Sequence, residues 1–370
     1  MEQEVEASLD VQNEKKEVQE TIIPKLQPIL TGKVSEDELF GVLKRVAPGT
    51  NLRAALDGAL KAGKGALIVL ENEHVLPLLD GGFKINCRFT PQRLVELTKM
   101  DGAIILDKDA KKITQANVLL TPSSKIKTSE TGTRHKAAER TAKQTGTLVI
   151  AISERKHEIS VFYKEIKHHL KDTGELLRKT NEHIQLLEKQ RELFDDSINS
   201  LNMSELRNYP NMRQAIYAIQ KGRLIQRMLG DIRKNIIELG SEGTLLKTRL
   251  RELGAGVERE TNLIVTDYTK LDMNKSRTLL ESLSYDEILD SENILKALAY
   301  EELTEPQIKG WRILDKTNLP EEDIAKLVKE FGSLGKVMNS RRNEYESLLG
   351  TDRGSKAKEE IDKLKLHYER

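Results

Sequence analysis

Short, uninterrupted apolar runs in the first half of the chain are the feature that most restricts the fold. ALIVL at Ala66–Leu70, AIIL at Ala103–Leu106 and ISVFY at 159–163 are bounded by glycine or charged residues. Runs of this length are typical of buried β-strands. Because they alternate with segments of helical periodicity, they predict an α/β domain with a mixed sheet and flanking helices.

Helix boundaries in this region are marked by capping residues. Thr50 precedes leucines at helical spacing, and Thr90 followed by Pro91 starts a second such segment. Threonine is a good N-cap, and proline is tolerated at the first helical position. Two further runs, at 103–107 and 115–120, flank a short polar segment and predict a β-hairpin.

A glycine-containing loop leads into a helix at residues 129–140, with the sequence SETGTRHKAAER. Thr133 is the candidate N-cap, and Gly146 is expected to end the helix before a strand at 147–153. A helix N-terminus offers free backbone N–H groups and a partial positive charge, which suits a phosphate. Three side-chain donors follow in the first turn: Arg134, His135 and Lys136. The segment therefore predicts a polyphosphate-binding surface.

Two of these motifs together resemble a known family. DGA at 101–103 is followed, 32 residues after Asp101, by TRHK. This pair resembles the signature of the diadenylate cyclase domain, which combines a DGA motif with an RHR motif. FTPQRLVELTKMDGAIILD, ANVLLTP and SETGTRHKAAERTAKQTG are similar to the DNA integrity scanning (DisA-type) branch, and the similarity is dense over 41–163. The third RHR position is Lys136, which keeps the charge but loses the planar fork of arginine.

The resemblance implies a reaction in which two ATP molecules are joined into cyclic di-AMP, a second messenger, with release of two pyrophosphates. Such a reaction needs in-line positioning, a divalent cation (Mg or Mn) and a group that orients or deprotonates the attacking 3′-hydroxyl. The resemblance assigns the last role, and that of metal ligand, to Asp101. A turn carboxylate at the start of a strand is the alternative reading of this residue.

The resemblance also assigns ATP binding to residues outside the DGA aspartate. A glycine would allow close approach to the nucleotide, a leucine would pack against adenine, and a serine at a strand end would contact phosphate. A turn glycine, a core leucine and an ordinary strand-end serine are the structural alternatives. The residues so assigned are Gly102, Leu120, Thr133, Arg134, His135, Lys136 and Ser153.

After about residue 163 the strand signals end and helical periodicity takes over. Apolar residues spaced three and four apart form helical seams: Ile184, Leu187, Phe194, Ile198 and Leu201, then Leu246, Leu250, Leu253 and Val257. Pro210 and the glycines at 222, 230, 240 and 243 are expected to divide this region into several helices. We predict an N-terminal extension (1–20), a cyclase domain (21–163), a helical spine (164–300) and a C-terminal module (301–370).

The C-terminal module resembles the paired helix-hairpin-helix region of DisA-type proteins. Leu319 and Pro320 would form the first hairpin, but Gly350 and Gly354 are too far apart for the family's second, glycine–apolar–glycine turn. Residues 301–370 hold 14 Lys and Arg against 15 Asp and Glu, a net charge of −1. Since phosphate contacts supply most non-specific affinity for DNA, binding to DNA and regulation by it are left open.

Composition excludes several other classes of protein. The single Cys87 excludes an internal disulfide and fits a reducing compartment. No apolar run approaches the roughly 18–20 residues of a membrane span. The net charge of +1 does not demand nucleic acid or a membrane as partner. We therefore predict a cytoplasmic protein with no membrane partner.

The implied mechanism predicts a homo-oligomer. Each cyclase domain supplies one ATP, so two domains must face each other, and the resemblance adds the family's octameric assembly. One alternative is a non-catalytic scaffold that binds nucleotide or DNA and has lost turnover, since Lys136 and the altered second hairpin depart from the family pattern. A different phosphate-binding enzyme is the other; the sequence has no GxxxxGK[ST] loop, which excludes an ordinary P-loop ATPase.

Overall fold

A computed structural model describes residues 35–369, which form two compact units. The first unit holds the described residues up to Leu176 together with Ile237–Glu242. The second holds Leu177–Ile236 and the residues from Gly243 onward. The N-terminal extension predicted at 1–20 lies outside the described residues.

The first unit is built around a mixed β-sheet. Its strands are β1 (Ala66–Leu70), β2 (Leu79–Asp80), β3 (Phe83–Arg88), β4 (Ala103–Leu106), β5 (Lys112–Leu120), β6 (Leu148–Ser153), β7 (Glu158–Tyr163) and β8 (Ile166–Leu170). Over the described residues the order is β2-β5-β4-β1-β6-β7-β8, and β3 also pairs with β5. β1 and β4 are parallel, whereas the other pairs are antiparallel. The predicted mixed sheet, including the hairpin of β4 and β5, is confirmed.

Helices cover both faces of this sheet. They are α1 (Glu36–Arg45), α2 (Asn51–Lys61), α3 (Pro91–Leu97) and α4 (Thr133–Thr145). Ile68 of β1 lies in a hydrophobic cluster with Leu56 of α2, whereas the next residue, Val69, lies in a cluster with Ala138 of α4. Burial on both faces explains why β1 has a continuous apolar run rather than an alternating one.

Local sequence sets the ends of these helices. The side chain of Thr50 accepts a hydrogen bond from the backbone N–H of Arg53 at 3.1 Å, as expected of an N-cap. Gly146 ends α4 with a φ of 64°, the left-handed conformation that glycine adopts without steric cost. Both boundaries agree with the sequence prediction.

The sheet extends beyond the residue at which the sequence predicted its end. β8 pairs antiparallel with β7, with Leu170 beside Ile159 and Ile166 beside Tyr163. Its sequence, IKHHL, has partly buried and exposed residues in alternation, because it lies at the edge of the sheet. A short edge strand of this kind lacks the apolar run that marks the central strands.

From Thr173 onward the described chain is helical. The helices are α5 (Thr173–Leu206), α6 (Met212–Leu239), α7 (Thr244–Gly254), α8 (Val257–Tyr268), α9 (Met273–Ser282), α10 (Tyr285–Leu289), α11 (Ser291–Ala297), α12 (Trp311–Leu314), α13 (Glu321–Phe331), α14 (Leu334–Asn339), α15 (Arg342–Leu349) and α16 (Thr351–Glu369). Among the residues described, none of these helices is long and apolar enough to cross a membrane.

The second unit has one large hydrophobic cluster, which contains both predicted seams. Phe194 and Leu201 of α5 and Leu250 of α7 are buried members of it. The breaks predicted at Gly222 and Gly230 are wrong, since both glycines lie inside α6. A Cβ on Gly222 would lie 3.1 Å from the Cβ of Thr261, so this glycine permits a close helix crossing. Such a contact cannot be read from local sequence.

Candidate active site

Strand register places several predicted site residues at one edge of the sheet, the row of strand ends where β1 and β4 begin and β6 finishes. In the parallel pairing of β1 and β4, Leu67 lies beside Ala103, so Gly65 and Asp101 each lie two residues before this pair, at the same end of the two strands. β6 runs antiparallel to β1, so Ser153 at its end lies on the other side of Gly65. Because neighbouring strands are about 5 Å apart and β1 lies between β4 and β6, β4 and β6 are separated by about 10 Å.

The N-terminus of α4 lies at the same edge. A Cβ on Gly65 would be 2.9 Å from Cζ of Arg134 and 3.3 Å from the carbonyl oxygen of Ile152. The guanidinium group of Arg134 therefore lies directly against the backbone of Gly65, close to the end of β6. Sequence reasoning identified Arg134 but did not select Gly65.

The N-cap of α4 differs from the prediction. Gly132 occupies the N-cap position and Thr133 is the first helical residue, so the predicted capping by Thr133 is wrong. The first helical hydrogen bond runs from the N–H of Lys136 to the carbonyl of Gly132, at 2.8 Å. Gly132 has no side chain that could accept from the first turn, so these N–H groups have no side-chain cap and are suited to bind an anion.

The half-buried His135 follows Arg134 in this turn. Burial lowers the pKa of His135, and the nearby charges of Arg134, Lys156 and Lys167 lower it further, against the opposing effect of Glu130. With its pKa below the usual value, the imidazole is neutral at pH 7. His135 therefore offers hydrogen bonds rather than a fixed positive charge.

Asp101 and Gly102 form the turn that precedes β4. Gly102 has a φ of 83°, and a Cβ there would lie 2.8 Å from the carbonyl carbon of Asn117. Asn117 is itself left-handed, with a φ of 55°, where the register between β4 and β5 shifts. This packing alone requires glycine at position 102. It leaves the carboxylate of Asp101 exposed at the sheet edge.

Leu120 and Ser153, the strand-end residues predicted to contact adenine and phosphate, lie in different surroundings. Leu120 is 8% exposed and belongs to the hydrophobic cluster beneath α4, whereas the preceding Leu119 is 62% exposed. Ser153 is half-buried, and its hydroxyl accepts the backbone N–H of Lys156 at 3.3 Å. A hydroxyl that accepts still has a proton to donate, so Ser153 retains a donor for a phosphate.

Asp101 supplies an exposed carboxylate at this edge. Residues 35–369 contain no group of three or more His, Cys, Asp or Glu side chains that could hold a metal ion. Magnesium is commonly held by one or two carboxylates together with substrate phosphates and water. The donor set fits a cation that arrives with a nucleotide, rather than one bound in a protein cage.

The C-terminal helices use the residues of the second predicted hairpin for internal packing. α16 begins directly after Gly350, and a Cβ on Gly354 would lie 2.5 Å from the carbonyl carbon of Tyr345. Arg353 forms an ion pair with the buried Asp323, with Nε 3.1 Å from Oδ2. These groups are engaged inside the module, and DNA binding stays a prediction.

Comparison with known proteins matches both parts of the chain. The model described as DisA bacterial checkpoint controller nucleotide-binding matches residues 53–166, and the DisA linker region matches 170–307. A DNA integrity scanning protein DisA from Clostridium acetobutylicum is 39% identical over 338 residues, covering 89% of this chain and 95% of the relative. The chain belongs to the DisA family. This confirms the resemblance carried by the DGA and TRHK motifs.

Further relatives agree with this assignment. DisA of Acetivibrio thermocellus is 40% identical over 327 residues, covering 85% of this chain and 90% of the relative. A crystal structure of a DacA double mutant from Staphylococcus aureus covers 36% of this chain and 87% of its own, with 25% identity and a TM-score of 0.27. That structural similarity is too low to support an argument. The nucleotide-binding match of the DisA family, a diadenylate cyclase family, spans the sheet edge described above.

Proposed function

We propose that this DisA-family protein is a diadenylate cyclase that condenses two ATP into cyclic di-AMP with release of two pyrophosphates. One observation carries the proposal: the exposed carboxylate of Asp101, the guanidinium of Arg134 and the first turn of α4 meet at one sheet edge. Incubation of the purified protein with ATP and Mg or Mn, followed by chromatography of the products, tests it.

The triphosphate of ATP would bind at the start of α4. The first-turn N–H groups and the positive end of the helix dipole attract phosphate oxygens. Arg134 adds a planar two-donor fork, and Lys136 adds a point charge. The hydroxyl of Ser153 and the neutral ring of His135 would donate hydrogen bonds to oxygens between these cations.

Asp101 would act on the attacking group. Its carboxylate accepts the proton of the 3′-hydroxyl, whose oxygen then forms a bond to the α-phosphorus of the other nucleotide. The bond from that phosphorus to the bridging oxygen breaks, and pyrophosphate leaves with the electron pair, its oxygens held by the same α4 donors that bind them in ATP. A Mg or Mn ion held by Asp101 and phosphate oxygens would supply further charge neutralisation.

Two copies of this site must face each other, because each binds one ATP. The 3′-hydroxyl of each ATP then attacks the α-phosphorus of the other. Met100 and Leu119, on either side of the Asp101–Gly102 turn, are 42% and 62% exposed. Exposed apolar side chains next to a site that needs a partner suit a contact with a second copy of the chain. The octamer implied by resemblance remains a prediction.

Lys136→Arg is expected to preserve or raise turnover. Arginine keeps the charge and adds a second donor in a fixed plane, so a phosphate clamp at position 136 should tighten rather than fail. Steady-state rates with ATP measure the effect, with Lys136→Met as the control that removes the charge. A large loss with arginine, comparable to that with methionine, would mean that Lys136 has a task other than holding phosphate.

A further inference from the structure

The segment between β5 and α4, residues 121–132, is fastened along α4 by side chains of that helix. Three hydrogen bonds hold residues 123–127: Ser123 N–H to Gln144 Oε1 at 2.8 Å, Arg140 Nε to the Ile126 carbonyl at 3.0 Å and Lys143 Nζ to the Lys127 carbonyl at 3.3 Å. The segment therefore follows the helix back toward its own N-terminus, where it joins Gly132.

Glu139 holds the second half of this segment. It is 6% exposed, and its Oε2 accepts the hydroxyl of Thr128 and the backbone N–H of Ser129, the latter at 3.1 Å. The hydroxyl oxygen of Thr128 in turn accepts the N–H of Glu130 at 3.1 Å. Lys143 Nζ lies 2.9 Å from the other carboxylate oxygen. One buried side chain thus orients three consecutive residues of the loop.

The carboxylate of Glu139 is ionised at neutral pH. Burial raises its pKa, but hydrogen bonds from Thr128 and Lys143, together with the Lys143 charge and the Ser129 N–H, outweigh burial and hold the pKa below its usual value. Hydrogen bonds to an ionised acceptor are roughly twice as strong as those between neutral groups. The loop is therefore held by charge-assisted bonds.

A second tether holds the same loop from the sheet side. Glu130 Oε1 lies 2.6 Å from Nζ of Lys167 on β8. Glu130 is also among the charges that act on His135. The loop is thus fixed from both sides two residues before Gly132, so the direction in which the chain enters α4 is determined outside the helix itself.

We propose that Glu139 is a positioning residue for the nucleotide phosphates. Through Thr128 and Ser129 it sets the path of the chain into Gly132, and so the orientation of the first-turn N–H groups and of Arg134. The inference rests on the proposed function, because it takes the start of α4 as the triphosphate site. Its consequence is that loss of Glu139 weakens ATP binding rather than the chemical step.

Kinetics of the full-length chain separate these effects. Glu139→Ala is expected to raise KM for ATP about tenfold or more with kcat within about threefold of wild type, the pattern of lost ground-state binding. Glu139→Gln, which keeps an oxygen acceptor for the loop, should recover most of the affinity. Thr128→Val should raise KM in the same direction by less. Glu96→Ala is the control, since this exposed glutamate of α3 pairs with Lys99, outside the loop and α4.

Calorimetric titration with ATP in the absence of divalent cation provides a readout without turnover. Weaker binding by Glu139→Ala and Thr128→Val, but not by Glu96→Ala, supports the inference. If the wild-type protein is active but Glu139→Ala and Thr128→Val have unchanged affinity and KM for ATP, the inference is wrong while the proposed function stands. Failure of the wild-type protein to bind ATP both without and with Mg or Mn would overturn the proposed function and this inference together. Thr128→Val keeps the test available if Glu139→Ala does not fold.

Discussion

Asp101→Asn is expected to remove formation of cyclic product while leaving ATP binding largely intact. The amide has the size of the carboxylate but neither accepts the proton of the 3′-hydroxyl nor carries charge for a divalent cation. Because Asp101 is exposed in a turn, the substitution leaves the core unchanged. Loss of a positioned proton acceptor reduces rates by about 10²–10⁴-fold, which initial-rate measurements with ATP resolve easily.

A matched control separates this role from a general effect of charge. Asp109 is another exposed aspartate of the same hairpin, but it lies in the turn between β4 and β5, at the opposite edge of the sheet. Asp109→Asn should retain wild-type turnover. Turnover unchanged in Asp101→Asn would remove this residue from the mechanism, whereas equal losses in both variants would point to a non-specific effect.

Arg134→Ala should weaken the binding of ATP itself. Hydrogen bonds to charged groups contribute about 1.5–3 kcal/mol, so removal of the guanidinium should raise the Kd for ATP about 10- to 150-fold. Isothermal titration calorimetry measures this without turnover. An unaltered affinity would exclude Arg134 from the phosphate site.

Gly65→Ala tests the same contact without removing the arginine. Its Cβ would lie 2.9 Å from Cζ of Arg134, so the guanidinium must move away from the sheet edge. ATP affinity should fall in the same direction, by less than in Arg134→Ala. Gly41→Ala is the control, because no atom lies within 4 Å of a Cβ built there.

Central strands and helix ends could be predicted from sequence because their signals are local. β1 is apolar on both faces, and Thr50 and Gly146 are residues that cap helices by their own chemistry. β8 was missed because an edge strand alternates in burial and carries no apolar run. Gly222 was wrongly predicted to break a helix. The structure explains this glycine by its close contact with Thr261, 39 residues later in the sequence.

The candidate site shows the same division. Asp101 and Arg134 could be selected from motifs; strand register places Asp101 at this edge, and the contact with Gly65 places Arg134 there. Gly65 and Glu139 act through contacts that only the fold creates. In the sequence, Glu139 is an acidic residue that follows two alanines in α4. The structure shows that it is buried beside Ala138. For the contact with adenine, the motif pointed to Leu120, which is buried, whereas the neighbouring Leu119 is exposed.

The most direct test of the central claim is product analysis of the purified full-length chain incubated with ATP and either Mg or Mn. The account predicts cyclic di-AMP, with two pyrophosphates released for each product formed, and a specific activity that falls when dilution dissociates the oligomer. An assembled oligomer that binds ATP but forms no cyclic product with either cation would contradict it. That result would favour a nucleotide-binding scaffold without turnover.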